Sequence, residues 1–100
     1  MIIKVVSAKY LNDYKIELLF NNGIIKITNL ENELDGEVFK PLKDLNTFKS
    51  FSIATNTIEW ANGADFASEY LYMISDYVTP ADKENDSLMP IVNKLYEIAN

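Results

Sequence analysis

KIELLFNNGIIKIT, residues 15–28, is the segment that decides the fold. Asn22-Gly23 stands between two apolar runs, a pattern typical of a two-residue type I′ hairpin turn with positive φ at both central positions. With that pair at the turn, Phe20 lies opposite Ile25, and alternate residues share a face. The predicted core face carries Ile16, Leu18, Phe20, Ile25 and Ile27, and the wetter face carries Glu17, Leu19, Lys26 and Thr28. One buried and one wetter face indicates an antiparallel sheet.

Flanking segments predict more strands around this hairpin. The β-branched run IIKVV, residues 2–6, predicts a short strand, and residues 11–14 supply turn chemistry. FSIATNTIEW, residues 51–60, predicts a second hairpin centred on Thr55-Asn56, with a longer loop as the alternative. In that register Ile53 faces Ile58 and Phe51 faces Trp60.

Helical patterns dominate the second half of the chain. Asp44 is a predicted N-cap for a short helical turn that carries Leu45 and Phe48. Apolar residues from Phe66 to Tyr77 recur at helical spacing, so a helix is predicted to begin near Ser68, or as early as Asp65, and to end before Thr79. Residues 80–87 predict an acidic linker, and a final short helix follows with the apolar stripe Ile91, Leu95 and Ile98. That stripe packs either on its own sheet or on a partner.

The predicted fold class is therefore α+β. One antiparallel sheet of about five strands arises from two hairpin regions, helices pack on one face, and a C-terminal helix ends the chain. Residues 1–79 form the main part, and residues 80–100 form an acidic linker and short helix of the same domain. A chain of 100 residues fits one domain.

Composition excludes several classes of function. The chain has no histidine, arginine or cysteine, and its net charge is −6. Histidine is the usual general base and metal ligand, so we expect no enzyme, no cofactor and no metal site. The negative charge disfavours direct nucleic-acid and membrane binding. Without cysteines for disulfides, and without an apolar run of about 20 residues, a cytoplasmic protein is expected.

TIEWANGAD, residues 57–65, allows two interpretations. In the structural one, the Trp60 ring packs in the core, Asn62-Gly63 reverses the chain, and Asp65 caps the following helix. In the functional one, Trp60, Asn62 and Asp65 line a small pocket that grips a partner's backbone or a small ligand, because binding residues are common on turns.

Two segments, GEVFKPLKDLNTF (36–48) and WANGADFASEYLY (60–72), resemble the domain-of-unknown-function 2442 family of bacterial proteins over about residues 1–75. The matching residues are Gly36, Phe39, Leu42, Asp44, Phe48, Trp60, Asn62, Gly63, Ala64, Asp65, Leu71 and Tyr72. Ala61 and Ser68 stand where the family usually has proline. The resemblance implies a small α+β protein without established activity and, for some members, an antitoxin-like role in toxin–antitoxin pairs. Other members carry a helix-turn-helix module, for which this chain is too short.

The leading functional hypothesis is a non-enzymatic protein-interaction module, with an antitoxin-like role toward a small protein encoded nearby. An acidic chain suits a small basic partner through electrostatic complementarity. The alternative is a small-ligand or metal binder that uses the Trp60–Asp65 turn. Candidate binding residues for either function are Trp60, Asn62, Asp65 and Tyr72. Edge strands of a small open sheet also favour pairing between subunits, which makes a homodimer an alternative assembly.

Overall fold

The computed structural model describes residues 2–78, in which six strands and two α-helices form an α+β fold. The strands are β1 (Val5–Asn12), β2 (Lys15–Phe20), β3 (Ile25–Asn29), β4 (Ser52–Ala54), β5 (Thr57–Glu59) and β6 (Asp76–Tyr77). The helices are α1 (Leu45–Phe48) and α2 (Ser68–Ile74), and short 3₁₀ turns span Glu31–Glu33 and Lys40–Lys43. The predicted linker and C-terminal helix, residues 80–100, lie outside the described residues.

The strands form two antiparallel sheets, not the single sheet of about five strands that was predicted. The larger sheet has the order β1-β2-β3-β6, and the smaller sheet pairs β4 with β5. The smaller sheet meets β1 at its turn, where the Val5 N–H donates to the Asn56 carbonyl at 2.9 Å. One bond at a turn does not continue a ladder of paired residues. The α+β class is confirmed, and the single sheet is wrong.

Both sheets and both helices contribute to one main core. Leu18 and Phe20 of β2, Ile58 of β5, Phe48 of α1 and Leu71 of α2 are all buried in it. The two helices therefore pack on the face of the larger sheet that carries Leu18 and Phe20. A second, small cluster pairs Leu19 with Ile25 and packs against Val78.

The β2–β3 hairpin turns through three residues, one more than predicted. The Phe20 N–H donates to the Ile24 carbonyl and the Gly23 N–H to the Phe20 carbonyl, both at 2.9 Å. Gly23 has φ +85°, and neither asparagine before it has positive φ. This pattern is a type I turn followed by a glycine bulge, the usual three-residue hairpin loop.

The longer turn shifts the register of β3 by one residue. Leu18 lies opposite Lys26, and Glu17 lies opposite Ile27. A shift of one residue exchanges the two faces of a strand. The predicted placement of Ile25 and Ile27 on the same face as Leu18 is therefore wrong, although Ile25 is buried in the second cluster. Lys26 and Thr28 share the core face, whereas Ile25 lies with Leu19 on the other face.

This register gives Thr28 an unusual environment that predicts a stabilising substitution. Thr28 is fully buried, and its Oγ1 has no hydrogen-bond partner among the described residues. An unsatisfied buried hydroxyl costs about 1–3 kcal/mol, so Thr28→Val should raise the free energy of unfolding by an amount in that range. Urea denaturation followed by circular dichroism measures the change.

Thr57→Val is the matched control because it removes a buried hydroxyl that does have a partner. The Thr57 Oγ1 donates to the Phe66 carbonyl at 2.6 Å. Its loss should lower the free energy of unfolding by about 1 kcal/mol. Equal effects of the two substitutions would contradict the buried, unpartnered position of Thr28.

The second hairpin and the first helical turn agree with the sequence predictions. Ile53 pairs with Ile58 across a two-residue turn. Thr55 and Asn56 have φ of +51° and +68°, as a type I′ turn requires. Asp44 is the N-cap residue of α1, although its carboxylate accepts a bond from the Thr47 hydroxyl at 3.0 Å and none from the helix backbone.

Helix α2 begins at Ser68 as predicted but ends earlier, at Ile74. The Ser75 Oγ donates to the Leu71 carbonyl at 2.5 Å, and Ser75 itself is extended with ψ 154°. A serine hydroxyl that bonds the backbone in this way competes with helix continuation. Tyr77, predicted on the helix, lies instead in β6. Within residues 2–78, no helix is both long enough and apolar enough to cross a membrane.

Residues 2–4, which the sequence predicts as the beginning of the first strand, precede β1 and bond the side chain of Asn21. Strand β1 begins at Val5, and the backbone before it bonds the Asn21 side chain. The Lys4 N–H donates to Asn21 Oδ1 at 3.0 Å, and Asn21 Nδ2 donates to the Ile2 carbonyl at 2.7 Å. An amide side chain has both a donor and an acceptor, so Asn21 satisfies the backbone that a neighbouring strand would otherwise bond.

Candidate functional site

The Trp60–Asp65 segment is organised by a three-residue turn. The Gly63 N–H donates to the Trp60 carbonyl and the Trp60 N–H to the Ala64 carbonyl, both at 2.9 Å. Gly63 has φ +89°. The Asn62 Oδ1 accepts the Ala64 N–H at 3.1 Å. Asn62-Gly63 therefore reverses the chain, as the structural interpretation predicts.

The same turn occurs at the first hairpin. There the Asn22 Oδ1 accepts the Ile24 N–H at 3.0 Å, and Gly23 is the bulge glycine. Both Asn-Gly pairs thus place asparagine second and glycine third in a three-residue loop. Because the first hairpin uses the pair only to connect strands, the pair at residues 62–63 is no sign of a binding site on its own.

Trp60 is a core residue. Its side chain is 2% exposed, and its Nε1–H donates to the Phe48 carbonyl at 2.7 Å. Its ring centroid lies 5.8 Å from that of Phe48, 6.2 Å from that of Phe51 and 6.0 Å from that of Phe66. A ligand would have to displace these rings to reach it. The prediction that the Trp60 ring faces the core is confirmed.

Asn62 is exposed, yet both ends of its amide bond the chain itself. The Nδ2 donates to the Val38 carbonyl at 2.8 Å, across 24 residues of sequence. The Oδ1 is used inside the turn. Asn62 therefore ties the turn to the loop that precedes the Lys40–Lys43 3₁₀ turn.

Asp65 does not cap α2, and that prediction is wrong. The N-cap position is Ala67, and no side chain bonds the first helical N–H groups. Asp65 instead forms an isolated antiparallel bridge with Glu59, which adds one residue pair beyond the Trp60–Ala64 pair that closes the turn. Asp65 is exposed and precedes that N-cap position by two residues.

Asp65 borders a shallow polar depression. The depression has a volume of about 400 Å³ and is lined by residues 2–4, 55–57 and 65–69. The Ser68 Oγ donates to the Asn56 carbonyl at 2.6 Å and fixes two of its walls together. Charged side chains of Lys4, Asp65 and Glu69 line it.

Tyr72 belongs to a different environment from Trp60. Its ring centroid lies 4.9 Å from that of Phe20, and its hydroxyl accepts a bond from Asn22 Nδ2 at 3.3 Å. The structure thus places Trp60 in the core, Asn62 in a turn bonded to the Val38 carbonyl, Asp65 at the depression, and Tyr72 on α2 against the larger sheet. The four candidates do not form one site.

Lys26 is the residue that sequence reasoning missed. It is 5% exposed, and its Nζ donates to the Tyr72 carbonyl at 2.6 Å. The Nζ also lies 4.0 Å from the centroid of the Tyr72 ring and 4.4 Å from that of Tyr77, close enough for cation–π attraction. This buried ammonium group holds α2 and β6 against the sheet. The register predicted from Asn22-Gly23 places it on the wetter face of the sheet instead.

An aromatic and apolar surface lies along α2 and β6. It consists of Tyr70, Met73 and Tyr77, which we call the Tyr70–Tyr77 surface. Met73 is 71% exposed and Tyr77 64% exposed. Tyr70 and Met73 are three residues apart on a helix and so share one side of α2. Acidic residues Glu69 and Asp76 lie next to them in sequence and are exposed.

Tyr70 is held by an acid, which predicts a shifted titration. Its hydroxyl donates to Glu33 Oε1. That bond, together with desolvation and the negative charge of Glu33, raises the pKa of Tyr70 above its ordinary value of 10.0. Glu33→Gln should lower the Tyr70 pKa toward that value, because the neutral amide removes the charge. Phenolate absorbance during alkaline titration measures it, with Tyr70→Phe assigning the signal.

The raised pKa of Tyr70 determines how the contribution of this residue to folding stability depends on pH. Neutral Tyr70 is favoured in the folded state, so its contribution is complete below the unfolded pKa and is lost as pH rises through the folded pKa. Glu31→Gln, a neighbouring exposed acid on the same 3₁₀ turn, is the control and should leave the Tyr70 titration unchanged. A Tyr70 pKa that is equal in the two variants would contradict the hydrogen bond.

Comparison with known proteins gives the family. The model of the family described as "Protein of unknown function (DUF2442)" matches residues 5–77. The chain belongs to this family. The match covers every described strand and helix, so the resemblance seen in the two sequence segments is confirmed. No curated protein and no solved structure matches the chain. Among residues 2–78, no three histidine, cysteine or acidic side chains gather in a way that could hold a metal ion.

Proposed function

We propose that this member of the domain-of-unknown-function 2442 family is a non-enzymatic protein-interaction module. Its partner is a small basic protein, toward which it has the antitoxin-like role implied for some relatives. The observation that carries the proposal is the Tyr70–Tyr77 surface, in which Met73 and Tyr77 are 71% and 64% exposed. Tyrosine and methionine are enriched at protein interfaces, and methionine adapts its shape to varied partners.

The fixed position of this surface supports the proposal. The Lys26 Nζ donates at 2.6 Å to the backbone carbonyl of Tyr72, the residue before Met73. The same Nζ lies 4.4 Å from the Tyr77 ring centroid. Tyr70 is held by Glu33. Side chains fixed before binding lose less conformational freedom when a partner arrives. Two of its three side chains, Tyr70 and Tyr77, are therefore both exposed and held in place before binding.

Charge supports the choice of a basic partner. The chain has a net charge of −6, and Glu69 and Asp76 lie beside the apolar residues of the surface. A partner with an apolar centre and a rim of lysine or arginine would match this arrangement. Rim charges act mainly on association rate, so binding should slow as ionic strength rises.

The test is an affinity pull-down of the tagged chain from its host, read by mass spectrometry, followed by binding measurements with the purified protein that is recovered. The wild-type chain should recover one small basic protein in near-equal amount. Met73→Glu should weaken binding by about tenfold or more, because a charge enters the apolar centre. Ile53→Glu, at an exposed apolar position on β4, is the matched control and should bind as the wild type does.

The outcomes test the location of the interface separately from the existence of a stable complex. Recovery of the bait alone would contradict a stable complex. Equal binding by the Met73 and Ile53 variants would keep the interaction module but place its interface elsewhere. Thermal unfolding of both variants must match the wild type, since α2 carries both Met73 and the buried Leu71.

A second candidate is a small-ligand binder, favoured by the depression of about 400 Å³ beside Asp65. Its volume falls within the range of known ligand sites. Lys4 supplies positive charge and Asp65 and Glu69 supply negative charge, so a small ligand with groups of both signs would fit. Trp60 and Asn62 take no part, because their polar groups bond the chain itself.

Asp65→Ala tests this second function cleanly, because Asp65 has no capping role to confuse the result. A metabolite library is screened by thermal shift, since a ligand that binds the folded chain raises Tm in proportion to the logarithm of its concentration. A shift seen with the wild type and lost in Asp65→Ala would support the site. A library that shifts neither protein, or shifts both equally, would contradict it.

A further inference from the structure

The two Asn-Gly turns form a natural matched pair for one chemical modification. Both have the same backbone bonds and the same glycine conformation, and in both the asparagine Oδ1 accepts the N–H of the second following residue. They differ in their first residue, Asn21 in one and Ala61 in the other, and in what the amide Nδ2 of the second-position asparagine contacts. Asn62 Nδ2 donates to the Val38 carbonyl at 2.8 Å, whereas Asn22 Nδ2 lies 3.3 Å from the Tyr72 hydroxyl.

Asparagine followed by glycine is the sequence most open to deamidation, and asparagine is a thermolabile residue in general. The glycine nitrogen loses its proton to water or hydroxide and attacks the asparagine Cγ. The Cγ–Nδ2 bond breaks, the leaving nitrogen takes a proton from water and departs as ammonia, and a cyclic imide forms. Water then opens the imide to aspartate or to isoaspartate, in which the backbone runs through the side chain. Glycine favours the attack because it has no Cβ.

We infer that Asn22 is a deamidation site of the folded protein and that the Val38 contact protects Asn62. In both turns the attacking N–H is donated to a carbonyl at 2.9 Å, so the turn must open before the reaction begins. Opening at Asn62 also breaks a bond of ordinary length to the Val38 carbonyl. Opening at Asn22 frees an Nδ2 whose contact with the Tyr72 hydroxyl is longer than the usual hydrogen-bond range, and the Asn21 bonds to residues 2 and 4 hold the neighbouring residue but not the Asn22 amide. The modification therefore proceeds faster at Asn22.

The two products also differ in their effect on the fold. Aspartate at position 22 still accepts the Ile24 N–H, and its carboxylate can accept a bond from the Tyr72 hydroxyl, which is both donor and acceptor. Aspartate at position 62 has no proton to donate to the Val38 carbonyl, so two acceptors face each other. The faster site is the one whose aspartate product the structure accommodates. Each conversion changes the net charge by one unit, from −6 to −7 for the first.

The experiment incubates the purified full chain at mildly alkaline pH and follows the peptides that contain residues 22 and 62 by mass spectrometry. In the folded chain, Asn22 should convert about 2- to 10-fold faster than Asn62, the ratio expected for one net hydrogen bond. In denaturant the ratio should fall toward one, because both asparagines precede glycine. Equal rates in the folded chain, or faster conversion of Asn62, would overturn the inference.

Two aspartate variants test the predicted effects of the two products on stability, without the deamidation reaction itself. Asn22→Asp should leave Tm unchanged, whereas Asn62→Asp should lower it by about 4–8 °C, the shift for loss of roughly one hydrogen bond in a domain of this size. Each places a carboxylate in the same kind of turn, so each controls for the effect of charge on the other. Equal shifts in Tm would show that the Val38 contact does not distinguish the two turns.

Discussion

Trp60→Ala should lower the free energy of unfolding by about 3–5 kcal/mol, the usual cost of deleting a buried tryptophan side chain. Trp60 is 2% exposed and its ring lies within 6.2 Å, centroid to centroid, of three phenylalanine rings. Those rings come from α1, from the residue before β4 and from the segment before α2. Removal therefore opens a cavity where three parts of the chain meet. Equilibrium denaturation in urea measures the loss.

Trp60→Phe separates packing from hydrogen bonding. It keeps an aromatic ring but removes the Nε1–H that donates to the Phe48 carbonyl at 2.7 Å. The buried carbonyl then has no donor from position 60, which should cost about 1–3 kcal/mol in addition to the smaller ring's lost contacts. Asp65→Ala, in the same motif, should change stability by no more than about 0.5 kcal/mol because Asp65 is exposed and caps nothing. A Trp60→Ala loss below about 1 kcal/mol would contradict the core position.

The two hairpins show what sequence can and cannot determine. Thr55-Asn56 is the weaker turn signal, yet its predicted register is confirmed, with Ile53 opposite Ile58. Asn22-Gly23 is the stronger signal, yet its register is wrong by one residue. The reason is that Asn-Gly suits both a two-residue type I′ turn and a three-residue turn with a glycine bulge. Choosing between them depends on which face of β3 packs better, and that is a tertiary property.

The helix boundaries reveal a similar limit. The apolar period correctly predicts that α2 exists and begins near Ser68. Its end is set by the Ser75 hydroxyl, which bonds Leu71, and by pairing of the next two residues with β3. Pairing of Asp76 with Ile27 joins residues 49 positions apart, so no local pattern predicts it. The capping role predicted for Asp65 fails for a local reason, since Asp65 pairs with Glu59 across the turn and α2 has its N-cap two residues later, at Ala67.

Of the candidate site, the sequence predicted single residues but not their grouping. Trp60 and Asn62 were correctly placed in a chain reversal, and the structural interpretation of their motif explains their contacts. The grouping with Asp65 and Tyr72 depended on distances that the sequence does not contain. Lys26 was missed because the predicted register places it on the wetter face of the sheet. A buried lysine is rare unless it is paired, so no pattern rule would have placed it on the core face.

Lys26→Glu should be nearly as damaging as Trp60→Ala, at about 3–5 kcal/mol, the cost of an uncompensated buried charge. Lys26 is 5% exposed, and its Nζ donates to the Tyr72 carbonyl while facing the Tyr72 and Tyr77 rings. A carboxylate there meets a carbonyl oxygen and the negative faces of two rings, all of which repel it. Contacts of α2 and β6 with the sheet should weaken, which protease sensitivity near residue 77 would reveal.

Lys15→Glu is the matched control, because it makes the same change of charge at an exposed lysine on the neighbouring strand. It should alter stability by no more than about 0.5 kcal/mol. Lys26→Met keeps the apolar stem and removes the charge, so it should cost only about 1–3 kcal/mol for the Tyr72 carbonyl that loses its donor. If Lys26→Glu and Lys15→Glu had equal effects, Lys26 would face solvent, and β3 would have the register of a two-residue turn. The three variants thus decide, by stability alone, which face of β3 belongs to the core.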